Sequence, residues 1–158
     1  MTLEATGVLS RLRAGGYDLI DRDAARTPEE RMDLMRRALT CGTYFASVNA
    51  MTEDGEMVNI DGNGNRVAAI AFGPKRVVLV VGMNKVCGDL SAAVTRARRF
   101  VAPANGLRLG LEHLPCVKTG VCCDCRTPES MCAQIVRMRC SRVPGRIKIV
   151  LVGEDCGL

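Results

Sequence analysis

Apolar positions near the start of the chain follow the helical period, with one short strand pattern between two helices. Leucines and valines at helical spacing predict a helix over residues 2–13, and residues 17–20 predict a short strand. A second helix is predicted from Thr27, because a threonine cap, Pro28 and acids in the first turn are typical of a helix start. Gly42 is expected to stop this helix.

The central part of the chain and its last apolar run have strand patterns. Residues 44–48 predict a strand, and residues 57–60 predict the return strand after a turn at 52–56, where Asp-Gly is a strong hairpin signal. Residues 77–82 and 147–152 are continuously apolar. Such runs are typical of strands that are buried on both faces of a sheet.

The remaining patterns alternate between helix and strand. Helices are predicted over residues 65–72 and 90–101, the second ending at Pro103, and a short helix is predicted from Pro128. Residues 134–139 predict another strand. This alternation predicts an α/β fold: an open, largely parallel sheet flanked by helices, with a Cys-rich loop near the C-terminus.

Composition narrows the classes of function. The 158 residues, 47% of them hydrophobic, suffice for one domain with an aliphatic core, since Trp is absent. A net charge of +5 with few aromatic residues argues against nucleic acid as a partner. No apolar stretch approaches the roughly 20 residues that span a bilayer, and no signal peptide precedes the first helix, so we expect no membrane partner and a cytoplasmic protein.

A loop rich in asparagine and glycine, residues 59–66, lies between a predicted strand and a predicted helix. Backbone N–H groups in such a loop can hold an anion, although an ordinary Asn/Gly turn would have the same composition. Further polar residues follow other strands, and ligands gather beyond the carboxyl ends of the strands in open α/β sheets. The predicted ligand-binding residues are Asn49, Asn59, Gly62, Asn63, Gly64, Asn65, Arg66 and Asn84.

Few residues are candidates for catalysis. With a single histidine, His113, the chain has no evident catalytic triad. Asp61 is a candidate general base, and Lys85 is a candidate electrostatic clamp or amine nucleophile, because both flank the predicted site.

Four of the nine cysteines have the spacing Cys116-x5-Cys122-x2-Cys125-x6-Cys132. Thiolates grouped in this way in a cytoplasmic chain indicate a metal site, either Zn²⁺ or a [4Fe–4S] cluster, and the spacing does not distinguish the two. Free thiols or a redox pair are the alternative. Cys123 is an extra thiol within this segment, and the remaining four cysteines, Cys41, Cys87, Cys140 and Cys156, are interpreted as small buried hydrophobic residues.

Long stretches of the chain resemble one family. Residues 49–66 read NAMTEDGEMVNIDGNGNR, residues 81–85 read VGMNK and residues 151–154 read LVGE. These runs, with the cysteine segment, resemble the LUD (lactate-utilisation) domain family over essentially the whole chain. The resemblance implies the fold of ribose-5-phosphate isomerase, glucosamine-6-phosphate deaminase and the CoA transferases, in which the glycine-rich loop holds phosphorylated or acyl substrates.

One departure from the family pattern concerns the start of the chain. Family members usually carry a helical segment and a strand ahead of the position of Met1, so residues 1–158 are expected to form a single LUD-like domain that lacks them. The sheet is then expected to be incomplete, or its exposed edge to be covered by a partner chain.

Two hypotheses of function follow. The first is a LUD-domain protein of lactate or organic-acid metabolism that binds a small anionic metabolite at the strand ends and a metal at the four cysteines. The alternative is a non-enzymatic redox or structural metal-binding module in a multi-protein complex. Redox partner proteins or a second copy of the chain are the expected macromolecular partners.

Overall fold

Two β-sheets form the centre of the protein in the computed structural model, which describes residues 1–158. The first sheet is parallel, with strand order β1-β4-β7, and the second is mixed, with order β5-β2-β3-β6. In the second sheet β2 and β5 are parallel, and the other neighbours are antiparallel. The strands are β1 (Thr43–Ala46), β2 (Ala50–Thr52), β3 (Met57–Asp61), β4 (Arg76–Gly82), β5 (Val86–Cys87), β6 (Gln134–Met138) and β7 (Ile147–Val152). The predicted α/β class with a parallel-rich open sheet is therefore confirmed.

Helices flank the sheets, and none is long and apolar enough to cross a lipid bilayer. Short 3₁₀ turns occupy Arg22–Ala24 and Met83–Lys85, and a wide π-helical turn occupies Arg96–Val101. The α-helices are α1 (Thr2–Ala5), α2 (Val8–Ala14), α3 (Pro28–Ala38), α4 (Asn65–Ala71), α5 (Leu90–Thr95), α6 (Ala102–Arg108) and α7 (Pro115–Thr119).

The central strand β4 organises the main core. Its side chains Val77, Leu79 and Val81 are fully buried and pack in one cluster with Ile70 of α4. A smaller cluster joins the second sheet to α5 through small residues, which allow the helix to lie close to the sheet. Because these side chains are aliphatic, the absence of Trp does not prevent a continuous core.

Arg146 fastens α4 to β7 from inside the protein. It is buried, and its guanidinium donates to the carbonyl oxygens of Ala69 at 2.9 Å, Ile70 at 2.6 Å and Pro74 at 3.0 Å. The last turn of a helix leaves carbonyl groups without intrahelical partners, and a cation there is favoured by the helix dipole. One side chain thus caps the end of α4 and the loop that follows it.

Two predicted helix starts are confirmed by their caps. The hydroxyl of Thr27 accepts from the N–H of Glu30 at 3.1 Å, and the carboxylate of Asp89 accepts from the N–H of Ala92 at 2.8 Å. The predicted end at Pro103 is wrong, because the chain continues through the wide turn directly into α6. Pro103 lies in the first turn of α6, where a missing N–H is tolerated.

Other element predictions were also wrong. Residues 17–20 form no strand, because neither sheet pairs with them. The short helix begins at Pro115, and Pro128 lies in a turn. Gly7, with φ 71°, divides the first helix into α1 and α2.

Strand β7 is present as predicted, but it is not buried on both faces. It forms one edge of the parallel sheet, and Ile149, Val150 and Leu151 are 38%, 48% and 53% exposed. A continuous apolar run therefore indicated the strand correctly and its position in the sheet wrongly.

Candidate functional site

Three cations converge on residues 47–49, the segment that connects β1 to β2. Arg66 donates to the carbonyl oxygen of the first residue at 3.3 Å, Lys85 to that of the second at 3.4 Å, and Arg96 to that of the third at 2.7 Å. We call Arg66, Lys85 and Arg96 the cationic cluster. Their side chains come from α4, from the turn after β4 and from the wide turn after α5, so the fold assembles the cluster from three distant parts of the chain.

The cationic cluster has a surplus of positive charge. Asp61 forms an ion pair with Arg66 at 2.7 Å, and the two side chains are 8% and 21% exposed. Neither Lys85 nor Arg96 has a carboxylate within 4.0 Å. Arg96 donates only to carbonyl oxygens, those of Asn49 and Asn84, and its guanidinium lies 5.4 Å from the ring centre of Phe100. Two of the three cations, Lys85 and Arg96, therefore have no ion-pair partner in the protein.

Lys85 is 3% exposed, and all its hydrogen-bond partners are neutral oxygens. Its ammonium donates to the hydroxyls of Thr2 at 2.8 Å and Ser47 at 3.1 Å. Burial, together with the nearby charges of Arg96 and Arg66, lowers the pKa of this amine from 10.5 to about 8, and burial has the largest effect. The protein thus holds a cation where its charged form is destabilised, a common property of functional lysines.

Replacing Lys85 by methionine is expected to stabilise the protein at neutral pH. The folded-state pKa lies below the unfolded-state value, so the charged amine opposes folding below about pH 8, and this penalty disappears as the pH rises towards 10.5. We expect Lys85→Met to raise the free energy of unfolding by about 1–2 kcal/mol at pH 7, because the destabilised ammonium is removed. The loss of the hydrogen bonds to Thr2 and Ser47 offsets part of this gain. Urea titrations at several pH values measure the difference.

The matched control is Lys75→Met, which replaces an exposed lysine. The control should change the stability little at any pH. A Lys85→Met variant that is less stable than the natural protein at pH 7, with a difference independent of pH, would contradict the assignment of a destabilised ammonium.

The side chain of Asp61 places a carboxylate within the loop at residues 59–66. One carboxylate oxygen of Asp61 accepts from Arg66 Nε at 2.9 Å and Nη2 at 2.7 Å, and the other accepts from the N–H of Val67 at 2.9 Å. The carboxylate of Asp61, at the end of β3, therefore contacts the first turn of α4, which begins after Gly64 with φ 74°. The predicted roles of Asp61 as a base and of this loop as an anion cradle stay predictions.

The predicted asparagines have different surroundings. Asn49 is close to the cationic cluster, because its side-chain oxygen accepts from Arg66 at 2.7 Å and from the N–H of Ile60 at 2.8 Å. Asn84 binds the end of the chain through Cys156 N at 3.2 Å and Gly157 O at 2.9 Å. Gly62 and Asn63 are exposed, whereas Gly64 and Asn65 are half-buried at the start of α4. The structure therefore brings together Asn49, Asp61, Arg66 and Lys85, and leaves the tip of the loop at the surface.

Asn59 is fully buried, and neither the oxygen nor the nitrogen of its side-chain amide has a hydrogen-bond partner. An unpaired buried amide costs about 1–3 kcal/mol. Replacement by valine, which suits a β-strand, is expected to raise the free energy of unfolding by about 1 kcal/mol. Chemical denaturation measures this change, with Asn63→Ala at the exposed loop as a control. A loss of more than about 1 kcal/mol in Asn59→Val would show that the amide is satisfied in solution.

A groove lies against one face of the parallel sheet. Its volume is about 770 Å³, and apolar side chains of β1, β4 and β7 form its floor. Cys156 lines its edge, and the carbonyl of Cys156 accepts from the hydroxyl of Thr2 at 3.2 Å, the same hydroxyl that contacts Lys85. A single threonine therefore connects the buried amine to the wall of the groove.

Three residues that belong to the cationic cluster or contact it were not among the predicted site residues: Thr2, Ser47 and Arg96. Thr2 is more than eighty positions from Lys85 in sequence, which leaves no local signal. Arg96 lies on a predicted helix whose basic residues all have the same sequence signal. Only the packing of that helix against the second sheet selects Arg96 for the interior.

The four predicted metal ligands lie near one another. Burial, together with the neighbouring thiols of Cys116, Cys122 and Cys125, raises the pKa of Cys132 to about 11, and burial has the largest effect. Arg98 donates to Cys122 Sγ at 3.7 Å and pairs with Asp124. However, no three of the cysteine, histidine or acidic side chains are placed so that they could hold one metal ion.

The remaining cysteines and the histidine are more varied than predicted. All nine thiols are free. Cys156 is buried as predicted. Cys41 and Cys87 are half-buried and Cys140 is exposed, so the interpretation as buried hydrophobic residues is wrong for these three. His113 is exposed, as expected for a surface residue.

Comparison with known proteins identifies one family. A model of the LUD domain matches residues 1–152. A search of curated proteins found no significant match, and a search of solved structures found none either.

Proposed function

This chain belongs to the LUD domain family, and we propose that it binds a small anionic metabolite, a carboxylate or a phosphate ester, at the cationic cluster. The observation that carries the proposal is the convergence of Arg66, Lys85 and Arg96 on residues 47–49, with Asp61 as the only carboxylate in an ion pair with them. The family supports a domain of the lactate-utilisation kind, in which small organic acids are the natural candidates.

The energetics of the cluster favour an anion over a neutral ligand. Buried charges are stable only when they are paired, and a bound carboxylate or phosphate would pair with Lys85 and Arg96. Burial lowers the pKa of Arg96 as well as that of Lys85, so both charged forms are destabilised in the free protein. An anion would reverse this effect, and its binding should take up a proton near pH 8.

Thermal-shift and calorimetric titrations with lactate, pyruvate, a CoA ester and a sugar phosphate test the proposal. A ligand at a hundred times its Kd stabilises the folded state by about 2.7 kcal/mol, which is readily visible as a shift in Tm. We expect Arg96→Gln to weaken binding about tenfold or more, and Arg96→Lys to retain part of the affinity because it keeps the charge.

The matched control is Arg99→Gln, which removes an exposed arginine that follows Arg96 in the same wide turn and makes no ion pair. Binding should be unchanged in this variant. The proposal is wrong if none of the anions shifts Tm, or if Arg96→Gln and Arg99→Gln weaken binding equally.

The proposal extends to the cysteines: Cys116, Cys122, Cys125 and Cys132 would hold Zn²⁺ or a [4Fe–4S] cluster. Two arguments support it. Thiols that are up to sixteen positions apart in sequence are close enough to raise the pKa of Cys116 and Cys132. In addition, four thiolates are the donor set that both metals prefer. The segment that carries Cys122 and Cys125 is without helix or strand, so its sulfurs can move closer together when metal binds. The alternative, a redox or structural metal module without enzymatic activity, depends on this site alone.

Metal analysis of protein purified without oxygen tests this part. We expect about one zinc, or about four irons with a brown colour, per chain. Cys116→Ser and Cys132→Ser should lose the metal, whereas Cys140→Ser should keep it, because Cys140 is exposed and lies outside the group. Metal-free protein in which all nine thiols react with an alkylating reagent would contradict the site.

A further inference from the structure

We infer that Lys85 forms an imine with the carbonyl carbon of a small oxo acid, a carboxylate that carries an aldehyde or ketone group. The inference rests on the proposed anion site and specifies its ligand further. Its basis is the surroundings of one amine: Lys85 is buried, has no carboxylate partner, and lies between two hydroxyl groups beside two arginines.

The surroundings of Lys85 differ from those of a lysine that serves only as a structural cation. Structural buried lysines are paired with a carboxylate, because an unpaired ammonium is costly in the interior. Lys85 instead donates to Thr2, Ser47 and the carbonyl of Val48, which lower the cost without fixing the charge. With a pKa of about 8, about a tenth of the amine is neutral at pH 7, and the neutral amine is the nucleophile.

The other three lysines provide an internal comparison. Lys75, Lys118 and Lys148 are all exposed. Among the lysines of this chain, therefore, only Lys85 combines burial with a site for the carboxylate of the ligand.

The arginines account for the carboxylate of the oxo acid. The positive charges of Arg66 and Arg96 are close enough to Lys85 to lower its pKa. Arg66 is already paired with Asp61, so Arg96, which has no acidic partner, is the one available to bind a carboxylate. An oxo acid bound in this way would present its carbonyl carbon to the amine.

The reaction needs no reactant other than one proton from water. The lone pair of the neutral amine attacks the carbonyl carbon, a C–N bond forms as the C=O π bond breaks, and one proton passes from the nitrogen to the oxygen to give a carbinolamine. The C–O bond then breaks, the hydroxyl takes up one proton from water and leaves as water, and a protonated imine remains. Nothing is oxidised or reduced. The hydroxyls of Thr2 and Ser47, which contact the amine, are placed to carry these protons.

Borohydride trapping tests the inference on the unsubstituted protein. The protein is incubated with pyruvate or glyoxylate, reduced, digested and mapped by mass spectrometry. We expect one added group per chain, located on Lys85, with Lys75, Lys118 and Lys148 unmodified. Trapping should increase as the pH approaches 8, and lactate, which has no carbonyl group, should compete with it.

The outcomes separate the inference from the proposed function. Modification spread over the exposed lysines overturns the inference, and so does absence of an adduct on Lys85 under conditions where calorimetry shows that pyruvate binds. In the second case the anion site stands and only the imine fails. If neither oxo acid binds nor is trapped, the imine is overturned, and binding of the remaining anions then decides whether the anion site fails with it.

Discussion

Replacing Asp61 by alanine is expected to lower the free energy of unfolding by about 3–4 kcal/mol, because the change leaves a mostly buried guanidinium without its counter-charge. The carboxylate accepts three hydrogen bonds, two from Arg66 and one from the first turn of α4. Its loss removes the ion pair and the helix cap together. Equilibrium denaturation in urea measures the difference.

The control for this experiment is Asp33→Ala, which breaks the exposed ion pair with Arg36 on α3. Exposed pairs contribute about 0–1 kcal/mol, so the control should stay in that range. In the double variant Asp61→Ala with Arg66→Met, the loss should be well below the sum of the single losses, since no unpaired charge remains. Additive losses, or a loss of less than about 1 kcal/mol in Asp61→Ala, would contradict the role of this pair.

Replacing Arg146 by methionine is expected to cost about 3 kcal/mol, because three buried carbonyl groups lose their donor. Methionine fills a similar volume, so the change tests the hydrogen bonds rather than the packing. Arg146→Lys should recover only part of the stability, since an ammonium cannot reproduce the planar fork that reaches Ala69, Ile70 and Pro74.

The exposed Arg142 makes no hydrogen bond and provides the control. Arg142→Met should change the stability by less than about 0.5 kcal/mol. The prediction is wrong if Arg146→Met changes the stability as little as Arg142→Met does. In that case water would have to reach the carbonyl groups at the end of α4, and amide hydrogens of β7 would exchange as fast in the natural protein as in the variant.

Local signals in the sequence were sufficient for most of the elements. A cap such as Thr27 or Asp89 acts within one turn of its own position, so the sequence nearby contains the whole cause. Strand β7 shows the limit of this reasoning. Its apolar residues predict a strand, but whether the strand is central or at an edge depends on where other strands lie. Residues 17–20 failed for the same reason, since a strand needs a partner.

The site could be predicted only in part for a related physical reason. The asparagine-rich loop and Lys85 were found because they follow strands, and this rule uses only the order of elements. The contacts of Arg96 with Asn49 and of Lys85 with Thr2 join segments that are far apart in the chain. Nothing in the sequence near Arg96 distinguishes it from Arg99, which is exposed.

The wide turn at Arg96–Val101 determines where one residue of this helix can be deleted without disturbing the packing of the helix against the sheet. An i→i+5 turn takes up one more residue than an α-turn, so the side chains after it are rotated by about 100° relative to an uninterrupted α-helix. Ala97 and Ala102 are five residues apart, yet both are buried, as are Ala93 before them and Gly106 after them. A chain that is shorter by one residue within this turn would keep both halves of the helix in phase. A deletion at any other position of the helix would turn one half away from the sheet.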